Sequence, residues 1–255
     1  MKRCYLTGSK GFIGTYLRKY IEETGSSVVG TVDDWGAEYE IPGDTDVVYH
    51  LGALTRPPFS MQDRADYFYA NVGGTVDLLD SVKKDCPGAK VVLFGSATQD
   101  HLDSWYAYTK AMADSVGEAY AKFYGMSVYR LRLLGVVGVG HVGDVVNEFA
   151  EQAVRNGRIR HGNLNVSRDI SDVRDVVPAI VERVSSAKPG IHYIGRGSAT
   201  PVDYLARWFR VPLERDATRV RVEDTTHVSP EASVRARPIE ETLQWVLDDW
   251  RRRLS

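Results

Sequence analysis

The sequence predicts an α/β protein, a doubly wound parallel sheet followed by a smaller C-terminal region. Three observations carry this. Short apolar runs alternate with helical stretches through the first half of the chain, the β-α-β order of such folds. Several of those runs are near-continuous in Val, Leu and Tyr, as in strands covered on both faces. A glycine turn also joins the first apolar run to the first helix.

In chain order, strands are predicted at Lys2–Thr7, Ser27–Val32, Asp46–Gly52, Lys90–Ser96 and Ser127–Leu134. Helices are predicted at Thr15–Glu23, Asp66–Lys84 and Tyr106–Tyr124, with Gly25 and Gly125 placed where helices stop. The second half changes character. Asp144–Asn156 has a helical pattern, Gly157–Asn165 is a Gly/Asn-rich connection, and Arg168–Val184 carries charge and then a helix. Ser198–Arg210 and Ile239–Arg253 have helical patterns, whereas Val211–Pro238 has little periodicity. The expected division is residues 1–140 for a dinucleotide-binding domain and residues 141–255 for a substrate region interleaved with the sheet.

Composition narrows the function classes. The 255 residues suffice for a large core, and 43% hydrophobic with 26% charged is ordinary globular composition. The net charge of −2 gives no basic footprint for nucleic acid. Two cysteines, Cys4 and Cys86, make no disulfide framework, and the histidines never fall at metal-ligand spacing. No apolar stretch has signal-peptide or membrane-span length. The expectation is a soluble cytoplasmic protein with no metal, no membrane and no nucleic-acid partner.

The turn Thr7-Gly8-Ser9-Lys10-Gly11-Phe12-Ile13-Gly14 has the spacing G-x-x-G-x-x-G. Glycines there let the backbone approach a pyrophosphate, and the helix N-terminus offers N–H groups and a positive dipole end. It is not a Walker loop, because no G-K-[ST] ends it. Asp33 follows Gly14 by nineteen residues, close to the distance of an acid that binds the adenosine ribose. A carboxylate there repels a 2′-phosphate, so NAD is favoured over NADP. The alternative is that Asp33 is only a loop-start acid.

Tyr106 and Lys110 stand at i and i+4, on one face of a helix. An ammonium beside a phenol stabilises the phenolate and brings it towards acid/base use. Ser96 sits at the C-terminal end of the preceding strand, where open α/β sheets bind ligands, and its hydroxyl can donate to a substrate oxygen. Tyr108 has no lysine four residues on and is assigned to packing.

The glycine turn with Tyr106 and Lys110 resembles the extended short-chain dehydrogenase/reductases, specifically the NAD-dependent epimerase/dehydratase family of nucleotide-sugar enzymes. His50-Leu51-Gly52-Ala53 is similar to the family's His-Leu-Ala-Ala, and Asn71-Val72-Gly73-Gly74-Thr75 to its Asn-Val-x-Gly-Thr. Ser96-Ala97-Thr98 is similar to the serine segment of UDP-galactose 4-epimerases. Gly162-Asn163-Leu164, then Arg168-Asp169-Ile170-Ser171-Asp172-Val173, resembles GDP-mannose dehydratases and GDP-4-keto-6-deoxymannose reductases. The resemblance implies a Rossmann fold and NAD held by Gly8, Gly11, Phe12, Ile13, Gly14, Asp33, Leu51, Gly52, Ala53 and Lys110. It implies catalysis by Ser96, Tyr106 and Lys110. It also implies a nucleotide-diphosphate sugar substrate on Thr98, Asn163, Arg168 and Arg219, and a homodimer. Alternatives stay open: Arg168 has Asp169 and Asp172 nearby as ion-pair partners, and Arg221 is an equal local candidate for the role given to Arg219.

Three departures from the family pattern matter. Thirteen residues separate Asp33 from Val47, too few for the usual second helix and third strand. Ser96 and Tyr106 are ten residues apart, so the loop before the tyrosine is trimmed. Gly135 stands where the family often has a substrate-binding asparagine. The dehydratase acid beside the hydroxyl residue is also missing, since Ala97 and Thr98 stand there; Asp100 is a candidate substitute, at a position that is not the family's. The expected activity is C4 epimerisation through a 4-keto intermediate. A 4-ketoreductase is the enzymatic alternative, and a catalytically silent dinucleotide-binding sensor or scaffold the other.

Overall fold

The computed structural model describes residues 1–34, 36–55, 60–102, 104–219, 228–231 and 233–255. The chain divides into two compact units, Met1–Leu133 with Ile180–His192, and Leu134–Ala179 with Tyr193–Ser255. Where the sequence suggests one boundary near residue 140, the chain crosses between the units three times.

The first unit is built on strands β1 (Arg3–Thr7), β2 (Ser27–Val32), β3 (Val47–His50), β4 (Lys90–Ser96) and β5 (Ser127–Leu133). With β10 (Gly190–Ile194) they form a six-stranded sheet in the order β10-β5-β4-β3-β1-β2. The pairs β1–β2, β1–β3, β3–β4 and β4–β5 are parallel. All four residues of β3 are buried, as the apolar run Val47–Tyr49 requires. The short Asp33–Val47 connection leaves β2 at the edge of the sheet among the described residues. Helices α1 (Phe12–Glu23), α2 (Arg64–Phe68), α3 (Gly74–Asp85) and α4 (Trp105–Tyr124) accompany these strands. Leu78, Leu79 and Val82 of α3 pack in a buried cluster with Val48, Val91 and Val128 of the sheet. Burying one such side chain is worth about 1.5–3 kcal/mol.

Several boundaries differ from those the sequence predicts, each for a local reason. The first helix starts at Phe12 rather than Thr15, directly behind Gly11. The third strand stops at His50, and Leu51 and Gly52 belong to a loop. The stretch Asp66–Lys84 is interrupted by a π-helical turn, Tyr69–Gly73. Helix α4 starts at Trp105 because the Ser104 hydroxyl caps it by accepting the Ala107 N–H. It ends at Gly125, whose φ of 68° closes the helix in the left-handed region.

The second unit contains β6 (Gly135–Val137), α5 (Val145–Asn156), β7 (Ile159–His161), β8 (Ser167–Arg168) and β9 (Ile170–Asp172). After α6 (Val173–Ser186) and β10 come β11 (Thr200–Pro201), α7 (Val202–Trp208), β12 (Leu213–Arg215) and α8 (Ile239–Leu254). The strands pair in three ribbons: β6–β9 and β7–β12 are parallel, β8–β11 antiparallel. Val146, Phe149, Ile159, Ile170, Leu205 and Leu243 lie in one buried cluster of this unit. The helix expected over Ser198–Arg210 is confined to Val202–Trp208, because Pro201 lies in β11 and supplies the turn into it. Among the described residues no helix is long and apolar enough to cross a membrane.

Candidate active site

The glycine turn is shaped by close backbone approach. Gly8 has φ 66°, and a Cβ on it would stand 2.8 Å from the Gly52 nitrogen. A Cβ on Gly14 would stand 2.1 Å from the Gly8 carbonyl oxygen, well inside contact distance. The Gly11 N–H donates to that same carbonyl at 3.1 Å. No side chain caps the start of α1. A helix N-terminus without a side-chain cap, behind a turn that only glycine can make, fits a dinucleotide pyrophosphate.

Asp33 lies just past β2 and faces this turn. Its carboxylate accepts the Lys10 N–H at 2.9 Å and the Ser9 hydroxyl at 3.1 Å, with the Lys10 ammonium at 3.5 Å. Burial pushes its pKa up, but these hydrogen bonds and the ammonium outweigh burial and hold it below the ordinary carboxylate value. Leu51, Gly52 and Ala53 follow β3 on the other side. The Leu51 N–H donates to the Thr7 carbonyl at 3.2 Å, and the Gly52 N–H to the Thr7 hydroxyl at 2.9 Å.

At the end of β4, the Ser96 hydroxyl is bonded to the Thr98 hydroxyl at 2.9 Å and to the phenol of Tyr106. Tyr106 lies in the first turn of α4 and is 9% exposed. One turn on, the Lys110 ammonium is buried and donates to the Phe94 carbonyl at 2.8 Å. The structure therefore brings Ser96, Tyr106, Lys110 and Thr98 to one strand end. Tyr108, 43% exposed, lies tilted against Trp105 instead.

The electrostatics differ from the expectation that Lys110 draws the phenol down. Burial pushes Tyr106 up to about 12, against the hydrogen bond from Ser96, which lowers it. Burial also pulls Lys110 down to about 8. Burial is the main cause, and the Lys110 ammonium is bonded to the backbone of β4.

The trimmed loop after Ser96 forms a 3₁₀ turn, Ala97–Asp100, closed by a capping box. Gln99 accepts the Ser96 N–H at 3.0 Å and hydrogen-bonds Asp114. Asp100 is ion-paired with Arg132 of β5. Gln99, which sequence reasoning did not single out, therefore holds the serine in place, and Asp100 is anchored to β5. Asn71 is another, quoted in the sequence only as part of a motif. From the π-helical turn its side chain accepts the Leu54 N–H at 2.8 Å, and donates to the Leu54 carbonyl and the Thr109 hydroxyl, each at 3.0 Å.

In the second unit, Asn163 lines an open groove of about 770 Å³ with His161, Asn165, Asp203, Arg207 and Arg215. Its side-chain oxygen accepts the Asn165 N–H at 2.9 Å. Arg168, on β8, is half-buried and donates to the Ser167 carbonyl at 3.1 Å. The neighbouring Asp169 accepts the N–H groups of Arg196, Gly197 and Ser229 at 2.9–3.0 Å. Asp172 is gripped by the Arg174 guanidinium at 2.6 and 2.9 Å and by the Thr242 hydroxyl at 2.8 Å. Gly135 leaves no room for a side chain, since a Cβ there would lie 2.6 Å from the Asp169 carbonyl oxygen. Arg219 ends a short 3₁₀ turn, and its side chain, like all of Arg221, lies outside the described residues.

Comparison with known proteins bears on the family and the fold. The model of the NAD dependent epimerase/dehydratase family matches residues 4–195. GDP-6-deoxy-D-mannose reductase of Pseudomonas aeruginosa is 24% identical, with 99% of this chain and 98% of that protein covered. UDP-glucuronate 4-epimerase 3 of Arabidopsis thaliana is 23% identical over 72% of this chain and 55% of its own length. The solved structure of RMD from Pseudomonas aeruginosa complexed with NADPH superposes with a TM-score of 0.83 at 22% identity, covering 99% of this chain and 100% of that one.

Proposed function

The chain belongs to the NAD-dependent epimerase/dehydratase family, and on that premise we propose that it is a nucleotide-sugar epimerase acting at C4. The observation that carries this reading is the hydrogen-bonded Ser96–Tyr106 pair at the end of β4, with Lys110 one turn beyond.

NAD, when bound, would supply the hydride chemistry at C4. The turn Gly8–Gly14, with Phe12 and Ile13 at the helix start, would hold its pyrophosphate. Asp33 would hold the adenosine ribose, and Leu51–Ala53 and Lys110 the nicotinamide half. Ser96 donates a hydrogen bond to the C4 oxygen of the sugar and fixes it beside the phenol. Tyr106 takes the 4-hydroxyl proton as a base and gives it back to the opposite face product. Burial holds the resting phenol protonated, so positive charge near it in the loaded site sets when it can act. Lys110, charged below a pKa of about 8, stands one turn on, bonded to the Phe94 carbonyl. Thr98 orients Ser96 through their shared hydrogen bond. Arg168 binds the substrate diphosphate, with Asn163 and Arg219 completing that half. The reading includes a homodimer, which sedimentation at several concentrations tests.

Dehydration is disfavoured, because the residues after Ser96 are Ala97 and Thr98, and Asp100 is committed to Arg132. Asp33 favours NAD, which suits a redox-neutral epimerase more than a net reductase. The second reading is a 4-ketoreductase, supported by the reductase that matches this chain from end to end. Incubation with UDP- and GDP-hexoses separates the two. Interconversion of C4 epimers without net change in NADH supports the proposal. Stoichiometric oxidation of reduced cofactor by a 4-keto sugar nucleotide replaces it with the second reading.

A further inference from the structure

His50 closes β3 and is buried between two threonines. The functional reading above gives it no role, yet it sits between the cofactor loop and the element that holds the catalytic helix. Its Nδ1 is 2.8 Å from the Thr7 hydroxyl, and its Nε2 is 3.3 Å from the Thr75 hydroxyl.

The direction of each bond is fixed by backbone groups at the two ends. The Gly52 N–H can only donate, and it donates to the Thr7 oxygen. Thr7 then has its proton and one lone pair left, so this end by itself allows Nδ1 to accept or to donate. At the other end the Asn71 carbonyl can only accept, and it takes the Thr75 proton at 2.7 Å. The Thr75 oxygen must therefore accept from Nε2–H. The Thr75 end thus requires Nε2–H; in a neutral ring Nδ1 is then bare and accepts from Thr7, and one sequence of donors runs from Gly52 through Thr7, His50 and Thr75 to Asn71. Burial, with the charge of Lys110, holds this imidazole neutral, down to about 3.

Each end of the chain governs a different part of the site. The Thr7 end holds Gly52, whose backbone lies directly against Gly8 of the glycine turn. The Thr75 end holds Asn71, whose amide clamps Leu54 and reaches Thr109. The Thr109 hydroxyl in turn donates to the carbonyl of Tyr106 at 2.9 Å.

We propose that His50 is a positioning residue, the Nε2–H link of a buried hydrogen-bond chain that sets the loop Leu51–Leu54 against the catalytic helix. What the two ends carry rests on the functional reading above; the tautomer and the chain do not.

Two substitutions divide the histidine into its halves. In His50→Asn the amide oxygen replaces the Nδ1 acceptor, keeping Thr7 and Gly52 but falling short of Thr75. In His50→Gln the amide nitrogen replaces Nε2–H, keeping Thr75 and Asn71 but leaving Thr7 without its acceptor. Losing one buried hydrogen bond corresponds to roughly a tenfold change. His50→Gln should weaken NAD about tenfold by calorimetric titration, and His50→Asn by less than about twofold, with the larger loss of kcat in His50→Asn. Nitrogen-15 NMR of labelled histidine in the ligand-free wild-type protein should show the Nε2–H tautomer, neutral down to about pH 5. A Nδ1–H tautomer, an imidazolium above about pH 5, or equal weakening of NAD by both variants would overturn the proposal. Wild-type protein that fails to bind NAD would instead overturn the functional reading, and the NMR outcome still decides the chain.

Discussion

Lys110 carries a cost that its function requires and its removal should reveal. Its ammonium is buried, and its polar contact in the site is the Phe94 carbonyl at 2.8 Å. Burial lowers its pKa from 10.5 to about 8. At about 1.4 kcal/mol per factor of ten, keeping the lysine charged in the folded protein at neutral pH costs on the order of 3 kcal/mol. Lys110→Met fills a similar volume and removes that charge. It also leaves the Phe94 carbonyl without its donor, which costs about 1–2 kcal/mol. The variant should therefore be more stable than wild type by about 1–2 kcal/mol near pH 7, while losing most of its turnover.

The pH dependence gives the sharper test. Between about 8 and 10.5 the folded wild type has released the Lys110 proton while the unfolded chain still holds it. The unfolded state then binds more protons, so wild-type stability rises with pH relative to the variant. The advantage of Lys110→Met should shrink across that window and reverse above it, where only the lost hydrogen bond remains. Other groups that titrate there are common to both proteins and drop out of the difference. Urea unfolding of both proteins at about pH 7, 9 and 11 measures this. A difference that does not change with pH, or a variant several kcal/mol less stable than wild type near pH 7, would refute the reasoning.

Four further outcomes are expected. Tyr106→Phe should keep nucleotide-sugar affinity and lose turnover by roughly 10² or more, measured by steady-state kinetics alongside calorimetry. Asp33→Ala should narrow the preference for NAD over NADP in titrations with each, because a carboxylate no longer opposes the 2′-phosphate. Gly14→Ala should abolish measurable NAD binding, or prevent folding, since its Cβ would lie 2.1 Å from the Gly8 oxygen. Arg168→Ala should weaken nucleotide-sugar binding about tenfold to a hundredfold with NAD affinity unchanged; parallel losses for both ligands would assign it a structural role.

What the sequence made legible was what short-range geometry dictates. The glycine turn is visible because each glycine answers a steric demand within a few residues, Gly14 against Gly8 above all. The pairing of a strand-end serine with a Tyr-x-x-x-Lys helix is visible because both lie on regular elements whose direction the pattern fixes. The π-helical turn was not visible. Asp66–Lys84 keeps a helical pattern, and what accompanies the break is Asn71 gripping Leu54, seventeen residues earlier in the chain. The anchoring of the trimmed loop was hidden for the same reason, since Asp100 meets its arginine thirty-two residues away.

The tyrosine shows a different limit. Helical spacing places Lys110 on the same face as Tyr106, and from spacing alone the ammonium should lower the phenol's pKa. Whether it does depends on burial and on where the ammonium goes, and both are tertiary properties. Here the desolvation of the phenol outweighs the help from Ser96, and the lysine is spent on the backbone of β4. A Tyr-x-x-x-Lys pair therefore identifies the groups that can exchange a proton, but not the state in which they rest. That state is set by what else enters the site. The resting protein holds Tyr106 protonated and Lys110 charged, and a positive charge beside the phenol would favour release of both protons, by attraction to the phenolate and by repulsion of the ammonium.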